Sequence, residues 1–95
     1  MYLDELAARI RAAVPDKDQP DGDTRELYRM YAVLALALGQ SVKRADVHNA
    51  WVAWMAGRNS DHEALVPYEQ LPGAVRSQDE PYMRAIHSVV VDLEV

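Results

Sequence analysis

A run of nine apolar residues, Met30 to Leu38, is the feature that most limits how this chain can fold. The run follows Asp23 and Thr24, and the spacing of Asp23 from Glu26 resembles a helix-capping box. Gly39 comes directly after the run and is a residue type that commonly ends helices. The sequence therefore predicts a helix from Asp23 or Thr24 to Leu38. Because the run has no polar side, we expect this helix to be buried all round at the centre of the domain.

Three further helices are predicted from apolar residues at helical spacing. The first covers about Tyr2 to Val14, and the third covers about Lys43 to Ala56. The last begins near Ser77 or Asp79, which places Pro81 in its first turn, where proline is well tolerated. No hairpin signal interrupts these segments.

Two segments of the second half are predicted to be extended. The LVPY segment (Leu65 to Tyr68) contains Pro67, which disfavours helical backbone at Val66. The alternating, β-branched tail from Val89 to Val95 indicates that the last helix gives way to extended chain. The predicted fold class is all-α, a small four-helix domain in which the LVPY segment crosses between helices 3 and 4.

Length and composition exclude several classes of protein. A chain of 95 residues forms a single domain spanning positions 1–95. A net charge of −5, with basic residues scattered among the acidic ones, is atypical of proteins that bind nucleic acid or anionic membranes. The longest apolar run is too short for a membrane span of ~20 residues, and charges near Met1 interrupt any leader sequence. We therefore expect a cytoplasmic protein.

No pattern for catalysis or for metal binding is found. The chain has no cysteine, and its three histidines lack the paired spacing of a metal site. Neither a G-x-S-x-G elbow nor a glycine-rich phosphate loop is present. We therefore expect no metal, no cofactor and no enzymatic activity.

Two tryptophans on the third helix are the strongest candidates for packing or binding. Trp51 and Trp54 are three residues apart and so share one face. Trp51 lies at the centre of the apolar stripe and is predicted to be core. Trp54 lies beside the loop from Gly57 to His62, where an indole could form a pocket wall or a partner contact. The candidate residues for ligand or partner binding are His48, Trp54, Arg58, His62 and Tyr68.

Two sequence pieces resemble the ryanodine-receptor (RyR) repeat over about residues 47–90. They are Val47-His48-Asn49-Ala50-Trp51 and the segment HEALVPYEQLP, from His62 to Pro72. The chain departs from that repeat in its shorter loop before His62 and in having Glu63 where proline is usual. The whole chain is also similar to short helical proteins of actinobacteria and their phages. The resemblance implies a helical, non-enzymatic module that makes contacts between domains.

The same residues favour a structural latch. His48 and Trp51 lie one turn apart on the same side of the helix, so that Leu65 and Tyr68 can cross that face. Pro67 would hold the direction of the crossing segment. The predicted latch consists of Trp51, Leu65, Pro67 and Leu71.

Two functions remain open from the sequence. The first is an interaction or assembly module that forms a homo-oligomer or docks on a protein partner. It is supported by more apolar surface, in Met30 to Leu38 and in the valine-rich tail, than four short helices need. The alternative is a protein that binds or sequesters a small nucleotide-like ligand, such as a phage protein that captures a signal. It is supported by the aromatic residues together with His48, Arg58 and His62.

Overall fold

The computed structural model describes residues 1–93. In it the chain forms four helices of twelve to fourteen residues and one single-turn helix. They are α1 (Tyr2–Ala13), α2 (Arg25–Leu38), α3 (Arg44–Ala56), the single turn α4 (Gly73–Arg76) and α5 (Glu80–Leu93). Four short 3-10 turns lie between them, at Asp16–Asp18, Gly39–Ser41, Tyr68–Gln70 and Ser77–Asp79. The backbone from 1 to 93 contains no strand. The prediction of an all-α domain with four helices is therefore confirmed.

The ends of α2 follow the sequence signals only in part. Gly39 ends the helix with a φ of +55°, a backbone conformation that is disfavoured for residues other than glycine. At the start, the Asp23 carboxylate accepts hydrogen bonds from the backbone N–H and the guanidinium of Arg25, at 3.1 and 2.7 Å. Arg25 thereby holds the pKa of Asp23 below its usual range. Glu26 pairs with Arg29 instead of Asp23, so the predicted capping box is not formed.

The α2 helix is not buried all round, so this prediction was wrong. Helices α1, α3 and α5 all contact it, but they cover only one face. That face contributes Leu27, Tyr28, Tyr31, Ala32 and Ala35 to the core. On the opposite side, Val33 and Leu36 are 51% and 53% exposed. Residues 1–93 form no fifth long helix that could cover the second apolar side of α2.

The core lies between α2 and the other three long helices. Ile10 of α1, Val47 of α3 and Ile86 of α5 are completely buried against it. Val89 and Val90 of α5 are buried as well, at helical spacing from Ile86. The helix therefore continues through Leu93, and the predicted extended tail is wrong for residues 89–93, because burial of these valines outweighs their β-propensity. Glu94 and Val95 lie outside the described residues.

The connections are tied to the helices by side-chain hydrogen bonds. The Gln19 amide donates to the carbonyl oxygens of Arg11 and Val14 and accepts from the Tyr28 hydroxyl at 2.7 Å. The Tyr82 hydroxyl donates to the carbonyl oxygen of Asp18. These bonds hold the loop 15–24 against α2 and α5, although its polar composition gave no sign of a fixed position.

The crossing segment between α3 and α4 is confirmed as non-helical. Pro67 has extended backbone, with a ψ of 145°, and precedes the 3-10 turn Tyr68–Gln70. On the far side of the domain, the His87 Nε2 lies 2.7 Å from the carbonyl oxygen of Val42 and ties α5 to the turn after α2. No helix within positions 1–93 has the length and apolar character needed to cross a bilayer.

Candidate functional site

A cleft of about 600 Å³ opens between the loop 15–24, α3, the crossing segment and the start of α5. A volume of this size is typical of small-molecule sites, which range over roughly 300–1,000 Å³. Segments distant in sequence supply its walls. The cleft is lined by Pro20, Tyr31, His48, Trp51, His62, Glu63, Ala64, Leu71, Pro72, Val75, Gln78, Asp79 and Tyr82.

One wall of the cleft consists of Trp51 between two imidazoles. The His48 ring is stacked on Trp51, with ring centroids 5.8 Å apart and an angle of 22° between the planes. The His62 ring meets Trp51 edge-on, at 5.0 Å and 81°. Trp51 itself is only half-buried, so part of the indole is open to the cleft. This wall therefore presents a flat apolar surface with polar nitrogen atoms on both sides.

Hydrogen bonds to the backbone assign the protons of the two imidazoles. The His48 Nε2 lies 2.7 Å from the Val66 carbonyl oxygen, which can only accept, so Nε2 carries the proton. In the neutral ring the Nδ1 of His48 is therefore an acceptor. The Nδ1 of His62 accepts the backbone N–H of Ala64 at 3.0 Å, so its Nε2 carries the proton and is a donor. Beside Trp51, His48 therefore leaves an acceptor nitrogen outside its backbone hydrogen bond, whereas His62 leaves a donor N–H group.

Two tyrosines also line the cleft. Tyr31 and Tyr82 have ring centroids 5.6 Å apart, and Tyr31 is 1% exposed. Burial, with Tyr82 and Asp79 nearby, raises the pKa of Tyr31 well above its ordinary value, so its phenol keeps the proton. Because the Tyr82 hydroxyl is bound to Asp18, this ring contributes mainly its apolar surface to the cleft.

Asp79 is the charged group that the cleft partly encloses. Its carboxylate is half-buried, and burial raises its pKa to about 6 although His48 and Arg44 lie near enough to lower it. Within the part of the chain that the structure describes, no side chain forms an ion pair or a hydrogen bond with it. The nearby Arg44 guanidinium binds Glu80 and Tyr68 instead. Asp79 therefore faces the cleft as an anion without a direct partner.

The lining contains no lysine and no arginine. Glu63 adds a second carboxylate at an exposed position of the rim. In residues 1–93, no group of three or more histidine and carboxylate side chains is arranged to hold a metal ion. The charge of the lining is therefore negative and is carried by two carboxylates.

The structure divides the residues that the sequence grouped as a binding site. His48 and His62 line the cleft as neighbours of Trp51. Tyr68 lies behind His48, with ring centroids 6.0 Å apart, and Arg76 lies over its other side. Tyr68 does not line the cleft.

Trp54 and Arg58 lie away from the cleft, and the assignment of the two tryptophan faces was wrong. Trp54 is 7% exposed and belongs to the core, whereas Trp51 is half-buried and lines the cleft. The Arg58 guanidinium covers the Trp54 ring at 4.4 Å and donates to the carbonyl oxygen of Asp23 at 2.6 Å. The position of Trp54 near the end of α3 suggested an exposed side chain. This was misleading, because the loop 15–24 and Arg58 cover that end of α3.

The predicted latch differs from the observed one. The crossing segment is fastened to α3 by His48, through the Val66 carbonyl oxygen, a contact that the sequence did not predict. Leu71 is buried, but Leu65 is only half-buried and Pro67 is exposed. A buried carbonyl group requires a hydrogen-bond donor, and this requirement decides which residue of α3 holds the segment.

Tyr31, Asp79 and Tyr82 are among the lining residues that the sequence analysis did not name as site residues. Tyr31 is hidden in the apolar run of α2. Asp79 ends the 3-10 turn directly before α5, and Tyr82 follows three residues later in the first turn of α5, a spacing that places both on one side. That spacing was the available signal.

Comparison with known proteins gives a family but no activity. A family model described as "Domain of unknown function (DUF7701)" matches residues 1–91. No curated protein and no solved structure matches the chain.

The resemblance of residues 47–90 to the RyR repeat was wrong, since no model of that repeat matches. The shared pieces are short. In this structure they hold a histidine that binds the Val66 carbonyl group and a tryptophan one helical turn later. Because the matching model covers the chain from its first residue to Val91, the chain belongs to the DUF7701 family, a domain of unknown function.

Proposed function

We propose that the protein is a non-enzymatic module that binds a small organic molecule in the cleft. The observation that carries this proposal is the aromatic lining, to which Trp51, Tyr31 and Tyr82 all contribute. Flat apolar walls with a few fixed polar groups are typical of small-molecule sites. The two imidazoles and Asp79 supply those polar groups here.

The lining also bears on the class of ligand. A nucleotide-like ligand, the class favoured by the sequence, would carry phosphate groups. Phosphate sites are normally built from arginine, lysine or helix N-termini. Here the carboxylates of Glu63 and Asp79 would oppose a phosphate group, and the lining holds no lysine or arginine to offset them. A ligand without phosphate therefore fits the cleft better.

The two tryptophans allow a direct test of ligand binding. Trp54→Phe leaves Trp51 as the only tryptophan, inside the cleft, and Trp51→Phe leaves Trp54, outside it. A library of small molecules can be screened by thermal shift, since a ligand at 100 times its Kd adds about 2.7 kcal/mol of stability. Compounds that bind in the cleft should change the fluorescence of Trp54→Phe and leave that of Trp51→Phe unchanged. Hits that act only on the remaining Trp54 would place the ligand elsewhere.

A second proposal is self-association or docking on a protein through α2. It is supported by the exposed apolar side chains Val33 and Leu36 on the side of α2 away from the core. Size-exclusion chromatography with light scattering tests the self-associating form, with Leu36→Glu as the disrupting variant. A wild-type protein that stays monomeric at high concentration would contradict self-association.

A further inference from the structure

The polar groups of the cleft are arranged for a positive charge. Asp79 is half-buried, faces the cleft and has no directly bonded partner in residues 1–93. A partly buried carboxylate without a counter-ion is costly, and a cationic ligand would offset that cost. Every arginine and lysine of the chain lies outside the lining, so no side chain of the cleft itself supplies the counter-charge.

The aromatic walls favour the same charge. The faces of tryptophan and tyrosine rings carry negative electrostatic potential and attract ammonium and guanidinium groups. Trp51 and Tyr82 both line the cleft, and the hydroxyl of Tyr82 is already bound to Asp18. The surface that Tyr82 offers to a ligand is therefore mainly its ring.

His48 completes the arrangement. Its Nε2–H is bound to the Val66 carbonyl group, which leaves the Nδ1 lone pair as an acceptor. His48 is 3% exposed, and it lines the same cleft as Asp79. The cleft therefore offers a ligand N–H group the Asp79 carboxylate as a charged acceptor, with the His48 imidazole in the same lining.

We propose that the cleft binds an organic cation, with its ammonium or guanidinium group at Asp79 and its flat apolar body against Trp51. This inference rests on the proposed ligand-binding function and narrows it to one chemical class. The elevated pKa of Asp79 supports the geometry, because burial and not a neighbouring anion is its main cause. The titratable and charged groups around Asp79 are His48, Arg44, Tyr31 and Tyr82.

Three compounds of equal size and different charge test the class of ligand. Benzylamine, benzyl alcohol and benzoate share one ring and are, respectively, cationic, neutral and anionic at pH 7.5. Fluorescence titration of the Trp54→Phe protein, with Trp51 as the reporter, gives the affinity of each compound. We expect benzylamine to bind about ten-fold more tightly than benzyl alcohol, and benzoate to bind most weakly. Nα-acetyl-lysine amide, tested in parallel, presents the ammonium group of a protein side chain. Comparing its affinity with that of benzylamine distinguishes a protein side chain from a free arylalkyl amine as the source of the cation.

Two variants connect the preference to Asp79. Asp79→Asn, made in the Trp54→Phe protein, should reduce the affinity for benzylamine about ten-fold and leave benzyl alcohol nearly unchanged. Asp61→Asn makes the same charge change at an exposed position outside the lining and should preserve the preference for the cation. The inference is overturned if benzyl alcohol or benzoate binds as tightly as benzylamine. It is also overturned if the Asp79→Asn variant keeps the full preference for benzylamine over benzyl alcohol. In both cases the proposed binding function stands. If no compound of these or of the wider library changes Trp51 fluorescence or the melting temperature, the binding function fails as well.

Discussion

His48 and Val66, eighteen residues apart in sequence, are joined by a hydrogen bond of 2.7 Å between the imidazole Nε2 and the backbone carbonyl oxygen. The bond fixes the crossing segment on α3. It also determines which nitrogen of His48 faces the cleft, so one contact serves both the fold and the candidate site.

Replacing His48 by leucine should therefore destabilise the protein. The Val66 carbonyl group would lose its donor in a partly buried position, which costs about 1–3 kcal/mol of unfolding free energy. Urea denaturation measures the difference. His62→Leu is the matched control, because His62 also touches Trp51 but bonds only to the neighbouring Ala64. Equal losses for both variants would show that the His48–Val66 bond has no special weight.

Trp54→Ala should destabilise the fold more than Trp51→Ala. Trp54 is 7% exposed, and its removal leaves a cavity that costs about 3–5 kcal/mol. Trp51 is half-buried at the cleft, where solvent can fill part of the space. The two variants can be compared by urea denaturation. The reverse order was expected from the sequence, and measuring it would contradict the burial described above.

Asp79→Asn should stabilise the folded protein at pH 7. Burial raises the pKa of Asp79 in the folded state to about 6, from an ordinary 3.8, so the folded protein binds the proton more readily than the unfolded chain does. The ionised carboxylate therefore costs stability above pH 6, by about 1 kcal/mol once solvent screening at the cleft mouth is allowed for. The gain should disappear below pH 4, where the carboxyl is protonated in both states. Urea denaturation at pH 7 and pH 4 tests this, and a loss of stability at pH 7 would contradict it.

Binding of an organic cation should weaken as the pH falls through about 6. Protonation of Asp79 removes the anionic partner, while benzylamine stays charged across this range. Titrations of the Trp54→Phe protein from pH 5 to 8 measure the effect. The Asp79→Asn variant should lose most of the pH dependence. An unchanged pH profile in that variant would exclude Asp79 as the group responsible.

Tyr82→Phe should loosen the loop 15–24. The Tyr82 hydroxyl donates to the carbonyl oxygen of Asp18, and a hydrogen bond of this kind contributes about 1 kcal/mol. Lys17 lies exposed in the same loop, so limited trypsin digestion should cleave there about five-fold faster in the variant. Tyr2→Phe, which removes a hydroxyl from an exposed side chain, should have no effect. Equal cleavage rates would show that the loop is held by other contacts.

The sequence was sufficient for what depends on local periodicity. Four helices, the stop at Gly39 and the non-helical LVPY segment all follow from residues close together in the chain. Predictions that depend on which faces meet were less successful. The apolar composition of α2 could not show that its neighbours cover only one side. The valines of the tail predict extended chain from the sequence alone, because their packing against the core is visible only in the structure. The cleft was found only in part, since His48 and His62 come from one sequence region but Asp79 and Tyr31 come from others.

The hydrogen bond from Tyr82 to Asp18 spans 64 residues and joins the two ends of the sequence that frame the cleft. The residues that line the cleft run from Pro20 to Tyr82, so the cleft exists only after most of the chain has folded together. A ligand of the cleft would then bind the native state alone and shift the folding equilibrium by mass action. The concentration of that ligand would thereby help to set how much of this protein a cell retains in folded form.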